Sequence, residues 1–281
     1  MQALCGHGLP AASPLERMAK EVIAGVVLNE WVSSDYKHLI FDAPDPAPLA
    51  AAGQFFNLDC PQAKADKPFL RRPMSNYKAD PQRGQVEFLY KVTGAGTRGL
   101  ATLVPGQTMR MLGPLGVGFR LLPSWRSIVV LGRGVGLATL APLAELAREH
   151  GIAVTAILSA RSVADVISKD RFRLAGAQVQ IILDTDGSSE PVIVEQTLRR
   201  LATEERADAF FTCGSNRLML LMQRLGRELG IPGQVALEQQ MACGLGMCFC
   251  CVRKFRSDAG IVSRRVCWEG PVFPLEQALL W

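Results

Sequence analysis

Four cysteines near the end of the chain carry the spacing of an iron–sulfur site. Cys243, Cys248 and Cys251 read C-x4-C-x2-C within MACGLGMCFCCV, and Cys267 follows after fifteen further residues. Plant-type [2Fe–2S] ferredoxins use this local spacing with a distant fourth cysteine. Each iron takes thiolates in tetrahedral geometry, so four sulfurs must converge on one small cluster. One loop supplies three of them only if it curls tightly, and Gly244 and Gly246 permit the curl. Two other chemistries cluster cysteines. Disulfides suit oxidising compartments, and no secretory signal is visible here. A zinc ribbon wants two C-x2-C knuckles or histidines, and no histidine lies near these residues. Cys250 falls off the spacing and reads as a small packed thiol. Cys5 reads as a free exposed thiol.

Three polar interruptions earlier in the chain could meet a phosphate-bearing ligand. In Arg72-Pro73-Met74-Ser75 an arginine beside a fixed-φ proline can hold a fork of donors against phosphate. Leu89-Tyr90-Lys91 ends a strand-like run. Gly94-Ala95-Gly96-Thr97 reads as a turn exposing successive amides and a hydroxyl. A fourth signal is GRGVG, with Gly132, Gly134 and Gly136 between an apolar run and a helical pattern. Such a turn cradles a dinucleotide phosphate at a helix N-terminus. It lacks the full G-x-G-x-x-G, so the motif by itself is modest.

These residues need elements to position them. After a loose leader over 1–17, residues 18–123 hold short runs rich in Val, Phe, Leu and Tyr, punctuated by Gly, Pro, Asp and Asn. That pattern predicts a β-barrel or sandwich. From 124 to 235 apolar strand runs alternate with helical patterns: SIVVLG, AVTAILSA, VQIILDTDG and DAFFTCG are the strands. The alternation predicts a parallel α/β sheet whose site lies beyond the strand carboxyl ends, near Ser159, Asp184 and Cys213-Gly214. Residues 236–281 form the cysteine-bearing segment, with an extended, non-helical path expected around Pro271 and Pro274. The chain carries 31 basic and 26 acidic residues, well mixed, for a net charge of +5. No basic run resembles a nucleic-acid patch. No apolar run reaches the roughly 20 residues of a membrane span. A cytoplasmic protein is expected. The histidines are scattered, and His150 is placed to cap a helix C-terminus.

With these pieces in order, the chain resembles the electron-transfer subunit of type B dihydroorotate dehydrogenase, a branch of the ferredoxin reductase superfamily. The resemblance runs from about residue 20 to about 275, through RRPMS, LYKVTGAGT, VPGQTMRMLGPLGVGF, LDTDG, MACGLGMCFCCV and RVCWEGPVF. It implies a six-stranded FAD barrel, a nucleotide-binding α/β domain and a cluster segment. Arg72, Pro73, Met74 and Ser75 would bind FAD, with Leu89, Tyr90 and Lys91 along the flavin and Gly96 and Thr97 on its phosphates. Cys243, Cys248, Cys251 and Cys267 would ligate one [2Fe–2S] cluster. The implied partner is a catalytic FMN-containing dehydrogenase subunit, in a hetero-oligomer of paired heterodimers serving pyrimidine biosynthesis. Electrons would pass from FMN through the cluster to FAD and then to NAD(H). Three departures fall where the nicotinamide would bind. Arg133 stands where the family usually has glycine, Ala138-Thr139 where it has proline, and Cys213-Gly214-Ser215 where it reads CGP. They raise a second reading, a reductase of the same fold with an altered or weak nicotinamide site and a different oxidoreductase partner. A third reading is a flavin-free, cluster-bearing sensor.

Overall fold

The computed structural model describes residues 18–280. The leader, with Cys5, lies outside the described residues. The chain forms β1 (Lys20–Trp31), β2 (Tyr36–Asp42), β3 (Phe55–Leu58), β4 (Arg72–Ser75), β5 (Lys78–Asp80), β6 (Gln85–Lys91), the helix α1 (Ala95–Ala101) and β7 (Thr108–Leu115). The seven strands make one antiparallel sheet in the order β4-β3-β7-β1-β2-β6-β5. Alternation builds it: Val22, Ala24 and Val26 of β1 point inward between more exposed neighbours. Phe41, Phe56, Phe88, Tyr90 and Met111 fill the same core. The Phe56 and Phe88 rings meet edge to face at 5.5 Å. β4 and β5 pair with opposite edge regions of the sheet, yet only Asn76 and Tyr77 separate them. The sheet is therefore strongly curled, and its closing strand is broken at those two residues. This is why seven strands stand where six were implied.

The second half continues with β8 (Ser127–Arg133), α2 (Gly136–Glu149), β9 (Ala153–Ala160), α3 (Lys169–Leu174), β10 (Gln178–Leu183), α4 (Pro191–Thr203), β11 (Ala209–Cys213), α5 (Asn216–Leu229) and β12 (Gly233–Ala236). The segment after it holds β13 (Val252–Ser257), β14 (Gly260–Arg265), α6 (Val266–Glu269) and β15 (Val272–Pro274). The sheet order is β10-β9-β8-β11-β12-β15. All its pairs are parallel except β12 with β15. Strand order reverses at β8, so the crevice that such sheets offer to ligands opens between the carboxyl ends of β8 and β11. Continuous burial of Ile128 to Leu131 and of Phe210 and Phe211 follows from coverage of both faces. His150 caps α2, its ring Nδ1 lying 2.9 Å from the Leu146 carbonyl oxygen.

Two expectations change. The GAGT stretch is not a bare turn but the start of α1, whose Thr97 hydroxyl accepts hydrogen bonds from the Thr93 and Gly94 amides at 2.9 and 3.0 Å. The path to Pro271 is not wholly extended: Glu269 accepts the Arg265 amide at 2.7 Å and lets α6 form around Cys267. β15 of the last segment joins the edge of the parallel sheet.

Candidate functional site

The loop from Cys243 to Cys251 hangs between β12 and β13. Gly244 and Gly246 both take left-handed dihedrals, φ 71° and 76°, which turn the chain tightly. The four thiols meet as two pairs. Cys243 lies in hydrogen-bond contact with Cys248, and Cys251 with Cys267. Among the described residues no three metal-ligating side chains converge as a single-ion site would require. Two thiol pairs suit two irons instead, each taking two sulfurs. The backbone already favours thiolate. Burial works against the Cys243 charge, but the amides of Leu245, Cys248 and Met247 point at its sulfur and hold its pKa at about 7. The Leu245 amide donates at 3.3 Å. Burial, then the hydrogen bond with Cys251, pushes Cys267 up to about 12 in the absence of iron. Cys250 is exposed rather than packed, with its sulfur 3.8 Å from the Gln240 carbonyl. The donor set fits a [2Fe–2S] cluster.

β4 lies at the barrel edge, half-buried along its length. The Arg72 guanidinium donates to the Leu70 carbonyl, and its stem lies where a Cβ on Gly96 would be 2.6 Å from Cγ. Arg72 and the start of α1 are thus one surface, which only glycine at 96 allows. Met74 packs against the barrel core. In β6 the pleat divides Leu89, Tyr90 and Lys91. Tyr90 is 1% exposed and points into the barrel, where its hydroxyl lies 3.0 Å from Asn29 Oδ1. Leu89 joins the other core, and Lys91 pairs with Asp35 at 2.9 Å. A flavin alongside this strand can meet the Tyr90 main chain but not its ring.

At the strand reversal, a Cβ on Gly136 would lie 2.6 Å from the Cys213 carbonyl, and one on Gly132 would lie 2.7 Å from Leu140. These two glycines serve close packing. Gly134 alone needs its left-handed dihedral, φ 54°. Arg133 does not fill the turn. Its guanidinium reaches across β9 to Ser159 at 2.9 Å and grips Asp184 at 3.0 and 2.5 Å. Those hydrogen bonds, with that of Ser189, hold the Asp184 carboxyl at about 2. A cleft of about 250 Å³ opens at the ends of β11 and β12, lined by Thr212, Cys213, Gly214, Ser215 and Glu238 among others. The Cys213 thiol is pushed up by burial and stays protonated.

With this geometry in hand, likeness to known proteins separates the family from the wider fold. The family model of the iron–sulfur cluster binding domain of dihydroorotate dehydrogenase B matches residues 238–278, and that of an oxidoreductase FAD-binding domain matches residues 24–119. The dihydroorotate dehydrogenase B (NAD(+)) electron transfer subunit of Desulforamulus reducens is 32% identical over 262 residues, 93% of this chain and 99% of that protein. The chain belongs to this family. The Streptococcus pneumoniae R6 electron transfer subunit is 32% identical over 88% of the chain and 94% of its own length. Among solved structures, an NADH-dependent reduced ferredoxin-NADP oxidoreductase studied for flavin-based electron bifurcation aligns with a TM-score of 0.76 at 26% identity, over 90% of this chain and 88% of that one. The cytochrome b5 reductase domain of Ulva prolifera nitrate reductase shares the fold at 14% identity and a TM-score of 0.59, over 75% of this chain and 93% of that one.

The structure adds residues that spacing alone did not single out. Arg265 braces the cluster loop. It donates to the Gly246 carbonyl at 3.0 Å, pairs with Glu269 at 2.7 Å, and sits 5.3 Å from the centre of the Phe249 ring. Trp268 covers Gly246, while Met247 and Phe249 are 79% and 63% exposed. The cover and the exposed rim are therefore different residues. A signal for Arg265 existed: an arginine two residues before a ligand and four before a glutamate, at helical spacing.

Proposed function

We propose that this chain is the electron transfer subunit of a dihydroorotate dehydrogenase B, relaying electrons between a catalytic FMN-containing subunit and NAD through one [2Fe–2S] cluster and FAD. The observation that carries the reading is the meeting of Cys243 with Cys248 and of Cys251 with Cys267, with Gly244 of the same loop lying against Asn57 and Leu115 of the barrel. Bound FAD exchanges a hydride with nicotinamide and single electrons with a cluster. The chain's own residues bind and orient. Arg72 offers its guanidinium to the FAD pyrophosphate, with Gly96 and Thr97 beside it and Pro73, Met74 and Ser75 running towards the flavin ring. Leu89, the Tyr90 main chain and Lys91 flank the ring. Gly132, Gly134 and Gly136 keep the turn at β8 compact, and the cleft beside Cys213 takes the nicotinamide. Arg133 is turned towards β10, away from that cleft, which supports a working nucleotide site despite the departure at this position. The exposed Met247 and Phe249 face the partner, so the cluster lies on the path between subunits.

The alternative, a reductase with a different partner and a weak nicotinamide site, finds no support in the names of its relatives. Among the described residues no helix is long and apolar enough to cross a membrane. The reading places the subunit in the cytoplasm, where free thiols persist. Anaerobic titration of the purified protein with NADH, followed by visible absorption, tests the whole. Flavin and cluster should bleach together. Flavin and cluster present but still oxidised after excess NADH would refute the NAD link.

A further inference from the structure

Asn57 is the one side chain whose donor and acceptor atoms are both buried without a partner among the described residues. It is 0% exposed, on the central part of β3. A buried amide that bonds nothing is heavily penalised, and in a native protein such a group calls for a ligand or an ordered neighbour. Its position says which. The pleat of β3 sends Phe56 and Leu58 into the barrel, and Phe55 and Asn57 to the opposite face. On that face Phe55 and Leu115 belong to the same apolar cluster as Cys251 and Cys267. Directly over Asn57 lies Gly244, the residue after Cys243. A Cβ there would stand 2.4 Å from Asn57 Nδ2 and 3.0 Å from Leu115. The missing side chain at 244 is thus a window through which the amide meets the cluster loop. Across the sheet, Asn57 pairs with Pro73 of the strand proposed to carry the flavin.

We infer that Asn57 is a positioning residue for the iron–sulfur cluster, its side-chain N–H donating to the sulfur shell held by the loop from Cys243 to Cys251. The inference rests on the cluster reading above. It makes the barrel, and not only the C-terminal segment, part of the cluster site. Hydrogen bonds to cluster sulfur stabilise the more negative, reduced state and so raise the reduction potential. The Gly244 window and the Asn57 amide belong together: the left-handed turn at Gly244 lays the loop backbone on an amide that has no partner among the described residues.

The test uses full-length protein purified anaerobically, wild type and Asn57→Leu, a near-isosteric change that removes both orphan atoms. Iron and acid-labile sulfide in the wild type examine the cluster reading alone, and their absence would sink that reading first. With the cluster present, a redox titration followed by electron paramagnetic resonance should show the Asn57→Leu midpoint displaced downward, with about tenfold less reduced cluster at a fixed potential, roughly 59 mV for a one-electron couple. A second measurement needs no variant. Protein labelled with ¹⁵N only in the asparagine side-chain amide should show a ¹⁵N coupling to the reduced cluster in pulsed spectra. An unmoved cluster midpoint, a displaced flavin midpoint in its place, or no ¹⁵N coupling in a protein with a full cluster signal overturns the inference.

Discussion

The chemistry of this subunit rests on individual sulfurs, and so do its sharpest predictions. Serine at Cys243, Cys248, Cys251 or Cys267 should each abolish or strongly reduce iron and sulfide content, because a serine oxygen is a poor match for iron in this setting. Cys250→Ser should leave the content unchanged, since its thiol is exposed and bonded only to the Gln240 carbonyl. Metal analysis of the five proteins decides this. The Arg133–Asp184 clamp is a second residue-scale device. Its carboxylate pKa of about 2 lies below the roughly 3.9 of an unfolded aspartate, so its stabilisation is complete above pH ~4 and is lost as pH falls through about 2. The pair is partly exposed, 27% and 40% at the two side chains, so solvent screening limits it. Asp184→Asn should therefore destabilise by only about 0.5–1 kcal/mol, by the same amount from pH ~5 to ~8. Denaturant unfolding across that range checks both the size and the flatness. The four candidate cysteines were legible because the spacing of an iron–sulfur loop is set by cluster geometry. Asn57 was not, because nothing in GQFFNLDC distinguishes a buried asparagine facing a remote loop from one at a turn.

At the scale of elements, the last strand ties the cluster segment to the rest. β15 closes the edge of the parallel sheet, and Phe273 stacks on Phe255 of the β13–β14 hairpin with ring centres 4.2 Å apart. Both rings are buried, at 2% and 0% exposure. Phe273→Ala should cost about 3–5 kcal/mol, the usual range for a buried aromatic truncation. It should also loosen the hairpin that follows Cys251, so cluster loss should accompany the fall in melting temperature. A variant that loses the stability but keeps full iron content at low temperature would show that the hairpin holds the loop unaided. The strands of both sheets were readable from period and turn residues, since alternation and continuous apolar runs report one-sided and two-sided burial. α1 and α6 were not. Each is a short helix of seven or four residues, held by Thr97 or Glu269 rather than by an apolar period.

For the whole molecule, function depends on bringing two sheets and a loop to one seam and presenting that seam to a partner. Met247 is 79% exposed at the tip of the cluster loop, beside Phe249. Met247→Glu should weaken assembly with the catalytic subunit by about tenfold or more, about 1.4 kcal/mol, through the penalty of burying a charge. NADH-driven dye reduction by the isolated subunit should stay unchanged, because the cleft beside Cys213, proposed to take the nicotinamide, is a separate part of the molecule. Analytical ultracentrifugation with the partner, and dye assays without it, separate the two effects. Equal loss of both would show that Met247 supports the loop rather than the interface.

The sequence by itself determined the parts. Local spacing prescribed four sulfurs, residue periodicity prescribed an antiparallel and a parallel sheet, and fixed-φ and glycine residues marked the strand and turns proposed to meet phosphate. These properties are local, so the order of residues carries them directly. Only the tertiary structure decided how the parts meet. It paired Cys243 with Cys248 and Cys251 with Cys267, set Gly244 over the buried amide of Asn57, and swung Arg133 across to Asp184. It also brought β15 back to an edge begun by β12. Apart from the Cys243–Cys248 contact within one loop, these contacts join residues far apart in the chain, which only the folded arrangement of the two sheets brings together.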